Sequence, residues 1–85
     1  MMTSQQVRPI SEIATEVFRT WRPMSQHAKP YAEAMLSLTY ATDMYGWDTG
    51  KEIIRYFLGN ATSWRGDDAR RIKAELKLAL KEAKA

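Results

Sequence analysis

Cysteine is absent from this sequence, and with it go disulfides, a thiolate nucleophile and thiolate-ligated zinc. Histidine is nearly absent. His27 is the one imidazole, in a short connection beside Pro30, and nothing marks a serine or acid as its catalytic partner. The acids do not gather for a metal. Asp43, Asp48, Asp67 and Asp68 are scattered, and the span from Asp43 to Glu52 lacks calcium-loop spacing. No apolar run approaches the length of a membrane span. Met1 to Arg8 is polar where a signal peptide has its apolar core. No segment reads as a strand, and there are no internal repeats. These gaps give the expectation of a protein without catalytic residues, cofactor, metal or membrane association.

What remains is helical pattern. The 85 residues are enough for one domain. A chain of this size buries little more than about 60% of its unfolded surface. Residues 1–9 show no periodicity and are expected to be flexible; residues 10–85 are expected to form an all-α, compact single-domain bundle of about four helices. Ile10, Ile13, Ala14, Val17, Phe18 and Trp21 lie on one helical face, with Ser11 as the expected cap and Pro23 as the stop. A second helix is expected from Pro30 through Tyr31, Ala34, Met35 and Leu38 to Tyr45, ended by Gly46, with Trp47 folded back on the core. Thr39–Thr42 is a poor local helix former within it.

The third helix has the clearest signals. Thr49 and Glu52 match a capping box. Ile53, Ile54, Phe57 and Leu58 form its apolar stripe, and Gly59-Asn60 reads as a left-handed stop. Trp64-Arg65-Gly66 then leads to a fourth helix, with Ala69, Ile72, Leu76, Ala79, Leu80 and Ala83 inward and Leu78 off the stripe. Trp64 is expected to anchor this joint, and Arg65 to hold the turn by bonding helix-end carbonyls.

Two surfaces are candidates for binding. The net charge is +3, and from Arg70 onward there are six basic residues against two acids. Arg70, Lys73, Lys77, Lys81 and Lys84 follow helical spacing, and together with Arg71 they form the footprint of a nucleic-acid-binding helix. Asp67 and Asp68 at the start and lysines at the end also suit the helix dipole, so a solvated face accounts for most of the charge. Gly59 to Arg65 is too long for the turn of a helix-turn-helix. The other surface is aromatic. Tyr40 and Tyr56 lie off the core stripes and are expected on the surface, whereas Trp47 and Trp64 are assigned to the core. Tyr, Trp and Arg are enriched at interface hot spots, so Tyr40, Tyr56 and Arg65 are the candidate protein-binding residues. A phosphate site at Gly46–Gly50 is disfavoured by Asp48, which puts a negative charge at the helix start.

The order K-P-Y-A-E-A-M-L-S-L, then D-M-Y-G-W-D-T-G, then Y-F-L-G-N-A-T-S-W-R-G-D-D-A-R-R-I-K-A-E-L resembles a family of small proteins of tailed phages and prophages. The resemblance runs from Ile10 to Leu80, and the Trp-Arg-Gly turn is its most specific part. Asp68 departs from the pattern, which has threonine there. The resemblance implies phage origin and action in the host bacterial cytoplasm. It implies no activity and carries over no functional residue. The resulting expectation is a non-enzymatic accessory protein that binds a host or phage protein, with inhibition of a defence system such as CRISPR as its sharpest form. The alternative is nucleic-acid binding through Arg70, Arg71, Lys73 and Lys77; a homo-oligomer is a third reading.

Overall fold

A computed structural model describes residues 7–82. Helix α1 is Ile10–Thr20, α2 Lys29–Met35, α3 Gly50–Gly59 and α4 Asp67–Glu82; two short strands, β1 Met44–Tyr45 and β2 Asp48–Thr49, lie between α2 and α3. The molecule is a single mostly helical bundle, as the apolar stripes require. Ala83 and Lys84, placed on the last helix by spacing, lie outside the described residues, as do residues 1–6.

Each stripe finds the core. Ile10, Ile13, Ala14 and Val17 of α1 are buried together with Ile53, Ile54 and Phe57 of α3 and Ala69, Ile72, Leu76 and Ala79 of α4. Phe18, Trp21, Leu58 and Leu80 pack against this core while keeping some exposure. Trp64 is 5% exposed. Its ring stacks on Trp21 at 4.9 Å, and Phe57 meets it edge-on at 6.4 Å. Trp64 therefore joins α1, α3 and the entry to α4. Leu78 is 37% exposed, a single apolar residue off its stripe.

Helix α1 does not use Ser11 as its cap. It starts after Pro9 with no side-chain cap. The amides of Ile10 and Ser11 instead donate to the carbonyls of Thr39 and Leu38, at 3.0 and 2.8 Å. A loop distant in sequence thus satisfies amides that a helix start leaves unpaired.

That same loop explains why α2 stops at Met35, ten residues before Tyr45. Leu36, Ser37 and Leu38 close a tight turn by bonding three residues back. The carbonyls of Leu38 and Thr39 then accept from the amides that open α1 rather than from residues four ahead. The Asp43 carboxylate accepts from the amides of Thr39 and Tyr40 at 3.0 and 2.9 Å. Side-chain competition of this kind breaks helices, and Thr39–Thr42 has little propensity to resist it.

Gly46 ends no helix. It has φ +63° and sits in the two-residue loop of an antiparallel ribbon that pairs Met44 with Thr49 and Tyr45 with Asp48. Hairpin loops of two residues favour positive φ at their first central position, which glycine adopts freely. The ribbon corrects the expectation of no strand.

At α3 both halves of the Thr49–Glu52 capping box are present. The helix end is not left-handed: Asn60 has φ −102°. Asn60 closes it by donating its side-chain amide to the Tyr56 carbonyl at 2.8 Å.

Candidate protein-binding hairpin

Large apolar side chains exposed to solvent concentrate in eight residues. Tyr40 is 66% exposed, Met44 60%, Tyr45 47% and Trp47 98%. Trp47 corrects the expectation that it packs on the core. It is held out by position: it follows Gly46 at the ribbon tip, and Asp48 and Thr49 beyond it are committed to strand pairing and to the α3 cap.

The base of the ribbon is well fixed. Gly50 donates its amide to the Asp43 carbonyl at 2.7 Å. The Asp43 side chain holds Thr39 and Tyr40 from the other side. Glu52 accepts from the Thr49 amide at 3.0 Å. A tryptophan on such a base has little backbone freedom to lose on contact, which favours binding.

A cleft of about 450 Å³ opens beside this segment. Ile10 and Ala79 form its floor, Val7 and Tyr40 its apolar walls, and Thr42, Arg8 and Glu82 reach its rim.

The three residues singled out for protein binding lie in different surroundings. Tyr40 stands at the cleft. Tyr56 is 48% exposed and packs on Tyr31 of α2, ring centres 5.5 Å apart. Arg65 is exposed at the joint before α4. The group that bonds the turn there is Lys73, whose ammonium donates to the Trp64 carbonyl at 2.6 Å and lies 6.0 Å from the Trp64 ring centre. Lys73 replaces Arg65 in the role expected from sequence. Burial lowers the Lys73 pKa from its ordinary value, and the nearby charges of Lys77 and Arg65 lower it further.

The candidate nucleic-acid cations are largely engaged within the molecule. Arg70 pairs with Asp67. Arg71 pairs with Glu16 at 2.7 Å and with Asp68 at 3.0 Å. Lys73 is bound at Trp64, and Lys77 is exposed. Phosphate contacts through Arg71 or Lys73 would have to displace these partners, reducing the gain from counterion release.

Arg71 belongs to a larger clasp. Arg8 bonds Glu75 at 2.7 Å and Glu16 at 2.8 Å, so Glu16 is held between two guanidiniums. Hydrogen bonds from Arg71 and then Arg8 lower the Glu16 pKa to about 2. Both arginine pKa values are raised: Arg8 chiefly by Glu75 and then Glu16, Arg71 by Glu16 and then Asp68. Val7 to Pro9 are consequently tied to α1 and α4, while the rest of the segment expected to be flexible lies outside the described residues.

No family model, curated protein or solved structure matches the chain. Among the described residues no helix is long and apolar enough to cross a membrane.

Proposed function

We propose that this protein acts non-enzymatically by binding another protein through the hairpin, with Trp47 as the central anchor and Tyr40, Met44 and Tyr45 around it. The observation that carries this reading is the 98% exposure of Trp47 on a ribbon fixed at its base by Asp43, Gly50 and the α3 cap. Exposed apolar clusters on small domains mark interaction surfaces, and tryptophan is the residue type most often found at the energetic centre of an interface. The resemblance to small phage proteins suggests the setting: an accessory protein acting in an infected bacterium, with a defence complex such as a CRISPR effector among the partners to test.

The test compares wild type with Trp47→Ala as bait in a bacterial lysate, followed by calorimetry on any protein retained by wild type alone. Trp47→Ala is expected to leave thermal stability unchanged, because the indole has almost no contacts to lose. It should weaken partner binding by about 2 kcal/mol or more. Equal binding by both forms would remove the hairpin from the interface. Partner binding lost only with Tyr56→Ala or Arg65→Ala would move the site to those residues.

A further inference from the structure

We infer that α4 carries a separate binding edge, on which Arg65, Lys77 and Lys81 hold the phosphate backbone of a duplex nucleic acid without reading its sequence. The hairpin plays no part in it.

The charges of α4 are sorted by side. At about 100° per residue, Lys73, Lys77 and Lys81 fall within roughly 80° of the helix circumference, while Asp68, Glu75 and Glu82 lie on the other side. Two of those acids are occupied: Glu75 pairs with Arg8, and Asp68 with Arg71. Arg70 shares the lysine side and is answered by Asp67. Among the described residues, no carboxylate forms an ion pair with Arg65, Lys73, Lys77 or Lys81. Arg65 joins this set through the bond from Lys73 to the Trp64 carbonyl, which belongs to the peptide group leading into Arg65. Burial lowers the Lys73 pKa first, and the charges of Lys77 and Arg65 lower it further, so both cations are felt at that ammonium. The edge is thus left positive after the internal pairs have formed, and it differs from the cations that spacing alone nominates: Arg70 and Arg71 are paired, whereas Arg65, Lys77 and Lys81 are exposed.

The surroundings of the edge select its occupant. Lys73, Lys77 and Lys81 step along the helix by about 6 Å each, and none of them lines the cleft beside the hairpin. An open row of cations suits an anion that repeats. A protein partner fits poorly, because lysine is depleted at protein interfaces, and Leu78 is the one large apolar residue exposed on α4 among the described residues. A single strand would seek aromatic rings on which to stack its bases, and α4 contains none, while Trp64 is 5% exposed. Duplex backbone asks only for cations. Lys73 keeps its bond to Trp64 throughout and contributes its charge.

Anisotropy of a short labelled DNA duplex titrated with the full chain tests the proposal. Three phosphate contacts predict a slope of log affinity against log salt of about −3, a loss of roughly fortyfold between 50 and 200 mM salt. Two unrelated sequences should bind alike. Arg65→Gln, Lys77→Gln and Lys81→Gln should each weaken binding and reduce the slope by about one unit, and Lys77→Arg should restore it. Arg19→Gln, which removes the same charge from α1, should leave the slope in place, as should Trp47→Ala, so this reading and the hairpin reading fail separately. Circular dichroism checks that every variant is folded. No binding at 50 mM salt, a slope indifferent to the three edge substitutions or equally reduced by Arg19→Gln, or tighter binding to a single strand would overturn the inference. So would retention on phosphatidylserine vesicles without binding to the duplex.

Discussion

Replacing Gly50 by alanine would put a Cβ 2.7 Å from the carbonyl oxygen of Ala41. The neighbour is backbone, so the loop or the helix start must shift. Overpacking of this kind costs about 1–3 kcal/mol. Gly50→Ala should therefore lower the urea midpoint clearly, whereas Gly59→Ala, with nothing near its added methyl, should not. Equal effects at the two glycines would show that the Ala41 contact does not govern stability. Single residues also show what a sequence can and cannot reveal. Trp64 was legible as a core residue because it follows an apolar helix and opens the next. Trp47 was not: its environment depends on whether Gly46 ends a helix or turns a ribbon, and both use the same glycine.

At the scale of elements, α1, α3 and α4 were legible because each buries one stripe at helical spacing, and the Thr49–Glu52 box marks a start by purely local chemistry. The end of α2 was not legible. The apolar spacing continues to Tyr45, but the carbonyls of Leu38 and Thr39 are taken by the start of α1 and the Asp43 carboxylate captures two amides. The two bonds from α1 form only once that helix has packed, and no local pattern announces them. The candidate site depended on this point. With α2 ending early, residues 40–47 become a loop and ribbon that carry their aromatic side chains outward; Tyr40 is exposed there, as its place off the core stripes led one to expect.

For the whole molecule, the clasp of Arg8, Glu16, Arg71, Asp68 and Glu75 links groups up to 67 residues apart, beyond the reach of sequence pattern. It has a defined acid response. Glu16 is lowered from the ordinary 4.5 to about 2, so the folded state binds its proton later than the unfolded state. The stabilisation is complete above the unfolded value and is lost as pH falls from about 4.5 through about 2. Melting temperature should drop across that window, and Glu16→Gln should flatten the drop while lowering stability at neutral pH. An acid profile identical in wild type and Glu16→Gln would show that other carboxylates control it. The same clasp commits Arg71, so basic charge on α4 serves the fold before any ligand.

The bond from Ser11 to Leu38, and the one beside it from Ile10 to Thr39, make the start of α1 a remote gauge of the hairpin's base. These amides can exchange with deuterium only when the loop behind them opens. Asp43 grips that loop, so Asp43→Ala should speed exchange at Ile10 and Ser11 while leaving Ile72 and Leu76 in α4 little changed. Uniform acceleration across all four would mean that the whole molecule opens as one. If only Ile10 and Ser11 respond, occupancy of Trp47 should be readable about 36 residues away in the chain, as slower exchange of the Ser11 and Ile10 amides.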